Sequence, residues 1–190
     1  MLAELIKAFV AIFVIMDAVG NISIFSALNK SFSPKQKIDN IKRAVLIASI
    51  VLLIFLFIGN QLLNYFGIRI SSFKIAGGIV LMIIGLQVVL GLKFMKRSEM
   101  QEMAIVPMAT PLITGPGVIT TILILAATYG YWIPLLASLA NLLITYLLLR
   151  YSEPLLKVFG KQGMDVVSRI MGLIIVAIAV EFIRQGWAGL

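Results

Sequence analysis

The chain of 190 residues contains no cysteine and no histidine. Without thiols it can form no disulfide and offers no thiolate nucleophile. Without imidazole it lacks the commonest general base and the usual zinc and haem ligands. Charge is scarce as well: 13% of residues are Asp, Glu, Lys or Arg, and only eight are acidic. Apolar residues fill the space, at 61% of the chain with a mean hydropathy of +1.08. A soluble domain of this length cannot hide so much apolar surface and keep a wettable exterior. The chain is therefore expected to be integral to a lipid bilayer. No basic stretch leads the first apolar run and no small-residue cleavage site follows it, so that run is expected to stay in the mature protein.

A helix needs about 20 mostly apolar residues to cross the hydrocarbon core. Six runs qualify: 2–28, interrupted near Asp17; 44–63; 75–92; 104–128, interrupted over 111–117; 131–149; and 170–183, extended by snorkelling Arg169 and Arg184. None alternates apolar with polar residues as barrel strands do. The fold class predicted is all-α, with six transmembrane helices.

The net charge of +8 is distributed unevenly. The connections after spans one, three and five hold Lys30, Lys35, Lys37, Lys42, Arg43, Lys93, Lys96, Arg97, Arg150, Lys157, Lys161 and Arg169. The opposite side holds Lys7, Arg69, Lys74 and Arg184. Twelve against four makes the first side cytoplasmic by the positive-inside rule and sends both termini outward, in the cell membrane. This placement fits orientation in a bilayer better than nucleic-acid binding.

The two halves resemble each other. "FKIAGGIVLMIIG" (73–85) is similar to "SRIMGLIIVAIAV" (168–180), with Lys74-Ile-Ala-Gly77 on Arg169-Ile-Met-Gly172 at an offset of 95. The same offset carries Gly20 onto Gly115, and "NYFG" (64–67) resembles "KVFG" (157–160) at an offset of 93. Each half, 1–95 and 96–190, has three spans. An odd number inverts the second copy relative to the first. Inverted repeats that gate around a central site are common among secondary transporters.

Spans one and four correspond under this repeat, and both are interrupted. The first reads Asp17-Ala-Val-Gly20-Asn21; the second holds Pro107, Pro111, Gly115, Pro116 and Gly117. Proline removes an N–H and clashes with the preceding turn, and glycine admits unusual backbone angles. In lipid the freed backbone groups must find partners inside protein or along a wet cavity. The new helix ends carry partial charges suited to a zwitterion: N-termini for its carboxylate, carbonyls and a side-chain carboxylate for its ammonium. A single proline is more often a packing kink; two mirrored clusters point to a site.

Asp17 carries the charge there. A carboxylate at mid-bilayer costs at least about 2.5–3.5 kcal/mol, so it is expected to face a polar interior and to bind an ammonium, a sodium ion or a proton. It is equally fit to cap a half-helix beginning near Ala18, and the two roles are compatible. Asn21 and Ser23 follow on the same break; Thr110, Thr114, Thr120 and Thr121 surround the other. Glu181 is expected to pair with Arg184 near the outer surface, and Gln87 and Asn141 to make interhelical hydrogen bonds.

These residues resemble the MarC family, which includes transporters of small neutral amino acids. The family's first motif stands here as Asp17-Ala18-Val19-Gly20-Asn21-Ile22-Ser23-Ile24-Phe25. The second is Val106-Pro107-Met108-Ala109-Thr110-Pro111-Leu112-Ile113-Thr114-Gly115-Pro116-Gly117-Val118-Ile119-Thr120. Ala18 and Ser23 stand where the family often has proline, which predicts a gentler first break. Thr110 and Thr114 replace residues that are often apolar. The resemblance implies six spans, termini outside, and transport of glycine- or alanine-like substrates, less firmly coupled to a proton or sodium gradient.

The site set expected is Asp17, Gly20, Asn21, Ser23, Thr110, Pro111, Thr114, Gly115, Gly117 and Thr120, with Asp17 also in ion coupling and no cofactor or metal. A passive channel or exporter for other small polar solutes is the alternative. Enzymatic chemistry is not expected, because Asp17 has no evident partner for hydrolysis. Substrate ranking and the choice between monomer and homo-oligomer are open at this level.

Overall fold

This computed structural model describes residues 1–29, 32–91 and 113–190. Those residues form seven α-helices and no strand: α1 (Leu2–Met16), α2 (Ala18–Leu28), α3 (Pro34–Tyr65), α4 (Ile70–Leu90), α5 (Pro116–Tyr129), α6 (Trp132–Arg150) and α7 (Ser152–Trp187). Five stretches are long and apolar enough to cross a membrane: Leu2–Ser26, α3, α4, α6 and α7. α5, at 14 residues, extends about 21 Å and falls short of the hydrocarbon thickness. The first half of the expected fourth span, with Pro107, Thr110 and Pro111, lies outside the described residues.

Helix ends differ from the hydropathy boundaries because capping sets them. α3 begins ten residues before Ala44, at a capping box: the Gln36 N–H donates to Ser33 Oγ (3.4 Å) and the Ser33 N–H to Gln36 Oε1 (2.9 Å), with Pro34 in the first turn. α7 begins at Ser152 rather than near Ile170, and is bent at Gly160, whose φ of 67° and ψ of 169° suit glycine alone. Beyond its cap, α3 buries Ile41, Ala44, Ala48, Leu52, Leu56, Gly59 and Leu63. This stripe recurs every three or four residues. Its opposite face exposes Leu46, Ile50, Leu53, Ile54, Phe57 and Ile58. A helix apolar on both faces suits protein on one side and acyl chains on the other.

The most extensive helix contact joins α4 to α7. They run antiparallel, and small residues meet along the seam at intervals of seven: Ser71, Gly78 and Gly85 against Gly186, Ala179 and Gly172. A Cβ on Gly78 would lie 2.7 Å from the Ala179 carbonyl oxygen. One on Gly85 would lie 3.0 Å from that of Gly172, and one on Gly186 2.6 Å from that of Ser71. The backbones therefore touch three times over two heptads. Lipid gives no hydrophobic drive between helices, so this close van der Waals approach supplies the attraction. α1 packs on α6 and α5, α3 on α6 and α5, and α2 on α7 and α6.

The two ends of the bundle differ. Lys37 Nζ lies 2.6 Å from Glu153 Oε1, which puts the starts of α3 and α7 together. That end carries Lys35, Lys37, Lys42, Arg43, Arg150, Lys157, Lys161 and Arg169; the other carries Lys7, Arg69, Lys74 and Arg184. The second end is ringed by exposed Tyr65, Phe66, Trp132 and Trp187, as at a membrane interface. There Glu181 takes a bidentate contact from Arg184 (2.7 and 2.9 Å) and a third bond from Gln185 (2.8 Å), the pairing anticipated for it.

Gly85→Leu should force α4 from α7, because a Cβ there already meets Val176 Cγ2 at 2.8 Å and the Gly172 carbonyl oxygen and Val176 N at 3.0 Å. A loss of about 3 kcal/mol is expected, the upper end of ordinary overpacking, because two of those three atoms are backbone. Ile83→Val, on the exposed face, should be near neutral. Thermal unfolding in detergent, followed by size-exclusion chromatography, separates the two; equal stability of both variants would refute the seam.

Candidate functional site

The apolar helix that begins at Leu2 turns a corner at Asp17, the one non-glycine residue with positive φ among those described (φ 42°, ψ 50°). This left-handed conformation costs an ordinary residue about 1–2 kcal/mol; Asp tolerates it because its short side chain bonds locally. Here Asp17 Oδ1 accepts the Gly20 N–H at 3.2 Å, capping α2. Asn21 Nδ2 donates to the Met16 carbonyl at 3.0 Å, satisfying the end of α1. Each polar side chain thus serves a backbone group released by the corner, one donor and one acceptor.

The second carboxylate oxygen reaches across the bundle. Ser168 Oγ donates to Asp17 Oδ2 at 2.7 Å, linking the first span to α7 over 151 residues of sequence. Gly20 makes this approach possible. A Cβ there would collide with Asp17 Oδ2 and Ser168 Oγ together. Asp17, Gly20 and Ser168 therefore form one interlocked unit. Ser168 was absent from the expected set. Its signal in the sequence was its place at the head of the repeated "SRIMGL" segment, read there only as symmetry.

Packing sets the height of this unit against its neighbours. Gly172 packs against Val88 and Val89, and Ser168 lies one turn further toward the C-terminal end of α4. Arg169 Nη2 lies 3.0 Å from the Cβ position of Gly91, the residue ending α4. Ser168 is therefore near that end of α4, while Ile15, two residues before the corner, shares the Gly117 contact with Leu81 and Ile84 further back along α4. α2 starts beside Ser168 and finishes where Asn40 Nδ2 donates to Asn29 Oδ1 at 2.9 Å. Both contacts sit where exposed side chains change from charged to apolar, at Arg43 and Leu46 on α3 and at Asp165 and Val166 on α7. α2 thus occupies the basic end of the bundle. Asp17 ends α1 after 15 residues, and α2 packs from there on α7 and α6.

The other expected residues gather elsewhere. Gly115 caps α5, whose first turn contains Pro116. Gly117 packs beside α1 and α4: a Cβ would lie 3.2 Å from Ile15 Cγ2 and 2.8 Å from Leu81 Cδ2. The start of α5 therefore meets α1 two residues before the Asp17 corner. Thr114 and Thr120 line a recess of about 610 Å³ with Val51, Phe55, Gly59, Leu62, Leu63, Phe73, Pro116, Ile119 and Leu123. That recess is apolar apart from the two threonines and does not include Asp17, Gly20, Asn21 or Ser23. The described members of the expected set divide between the Asp17 corner and the start of α5 with this recess, while Thr110 and Pro111 lie outside the described residues. Thr121 spends its hydroxyl on the Gly117 carbonyl at 2.8 Å.

A buried polar line lies on α6. Asn141 Nδ2 donates to the Phe9 carbonyl of α1 (3.1 Å) and to the Ala137 carbonyl (2.8 Å), the interhelical role expected of it. Thr145 Oγ1 contacts Met16 Sδ at 3.1 Å, beside the corner. Asn141 Oδ1, Ser138 Oγ and Ser23 Oγ are buried without a partner among the described residues. Three or more metal-ligating side chains do not cluster anywhere among those residues.

Residues 2–190 match the model of the MarC family integral membrane proteins. The chain is 38% identical to a UPF0056 membrane protein of Methanocaldococcus jannaschii, over 97% of this chain and 96% of that one. It is 37% identical to a UPF0056 membrane protein of Archaeoglobus fulgidus, over 95% and 91%. It is 33% identical to the UPF0056 inner membrane protein YhgN of Escherichia coli, over 96% and 95%. No solved structure matches. With apolar helices long enough to span a bilayer and a family match over almost its whole length, the chain belongs to the MarC family of integral membrane proteins.

Proposed function

We propose that the protein is a secondary transporter of small neutral amino acids, working by alternating access between two inverted three-helix halves, 1–95 and 96–190. The observation that carries this reading is the Asp17 carboxylate, held by Gly20 of its own half and by Ser168 of the other. A group that binds both halves can report occupancy of a site to the whole bundle. The helix pairing supports the inverted repeat. Exchanging the halves turns the α1–α6 pair into α5–α3, and both pairs are packed.

The mechanism follows from competition for one oxygen. In this arrangement Asp17 Oδ2 accepts from Ser168, and α2 is tied to α7. A substrate ammonium, a sodium ion or a proton arriving at that oxygen displaces the Ser168 bond. A hydrogen bond to a charged group is worth about 1.5–3 kcal/mol, enough to shift a two-state equilibrium roughly tenfold to a hundredfold. Release of α2 from α7 then opens the basic end, which the positive-inside rule makes cytoplasmic, with both termini outside. The Gly115–Gly117 turn, against Ile15, supplies backbone N–H groups for the substrate carboxylate.

Proteoliposomes containing the protein should take up labelled glycine or alanine, saturably, under a proton or sodium gradient. If neither uptake nor exchange of any small amino acid occurs under either gradient, the reading is lost.

Asp17→Asn should lower gradient-driven uptake at least tenfold while leaving exchange less affected, since an amide still caps α2 but cannot change charge. Ser168→Ala should change the apparent affinity by about tenfold, with Ser168→Thr restoring it; wild-type kinetics in the alanine variant would remove Ser168 from the mechanism.

A further inference from the structure

We infer that the start of α7 is a binding surface for anionic phospholipid, seated at the leaflet on the basic end of the bundle. This does not depend on what the protein transports. Gly160 divides α7, so the segment 152–159 departs from the axis of the long helix that follows. Its tip is apolar and unusually open: Val158 is 77% exposed and Phe159 59%. Lysines stand on both sides, Lys157 and Lys161, and both are exposed. The acid of this stretch, Glu153, is bonded by Lys37 at 2.6 Å and also lies close enough to Lys157 to interact with it electrostatically, so the acid is shared among cations rather than held by one.

The surroundings add to the same field. The eight described cations at this end face four described acids, Asp17, Asp39, Glu153 and Asp165, an excess of four positive charges. Exposed Arg43 and Arg150 lie nearby in the bundle, at the level where exposed side chains turn apolar. An apolar tip demands acyl chains; flanking ammonium groups demand anions a few ångströms further out. A bilayer with acidic headgroups presents both in that order and at that height. A zwitterionic leaflet satisfies the tip alone, and a protein partner would have to cover it from the side already occupied by lipid.

The test uses the full chain in nanodiscs, with Trp132→Phe, Trp187→Phe and Phe159→Trp, so that the single tryptophan reports from the tip. Quenching by brominated phosphatidylglycerol is compared with quenching by brominated phosphatidylcholine at equal mole fraction. The expected result is at least threefold preference for phosphatidylglycerol, falling toward unity at high salt and on adding Lys157→Gln and Lys161→Gln. The salt series on the lysine-intact protein keeps the test valid if the glutamine variants fail to fold. Equal quenching by both lipids would overturn the headgroup preference. No quenching by either would show that the tip does not meet lipid, which overturns the inference altogether.

Discussion

The hydrocarbon interior offers no water, so each backbone N–H and C=O must be satisfied within the protein, and this constraint organises the rest of the structure. It explains why the described residues are helical almost throughout. It also explains the chemistry at the one place where the first span turns. A corner frees a carbonyl at the end of α1 and an amide at the start of α2. Asn21 answers the first and Asp17 the second. Asp17 is suited to the corner on two counts: it accepts the left-handed backbone, and its carboxylate has a second oxygen left to bond Ser168.

Packing then turns this local solution into a tertiary one. The α4–α7 seam brings two backbones into contact at Gly78, Gly85 and Gly186. That contact fixes the height of Ser168 relative to α4, and so the height at which Asp17 finds its partner. The same use of small residues recurs at Gly20 and Gly117, where a Cβ would separate α2 from α7 or α5 from α1. Close approach at these points costs side-chain burial, but in lipid that burial has little to offer between helices.

The Asp17 corner and the Thr114–Thr120 recess are separate clusters among the described residues. The Asp17 unit lies toward the basic end, and the Thr114–Thr120 recess is apolar and opens beside α3. They approach one another at Gly117 and Ile15. At the corner the polar groups are bonded to each other: Asp17 accepts from the Gly20 N–H and from Ser168, and Asn21 donates to the Met16 carbonyl.

Membrane character, five of the six expected apolar spans, the segregation of basic residues and the family were all legible in the residues, because hydropathy, charge and the Gly-Pro clusters are local properties. The Asp17 cap on a helix starting at Ala18 and the Glu181–Arg184 pair were legible for the same reason, since their partners lie within four residues. The bond between Asp17 and Ser168 was not, because the height of Ser168 is set by the glycine seam between α4 and α7. The Ser168 contact joins residues 151 positions apart, and no periodicity or composition reports a hydrogen bond made by packing two distant helices.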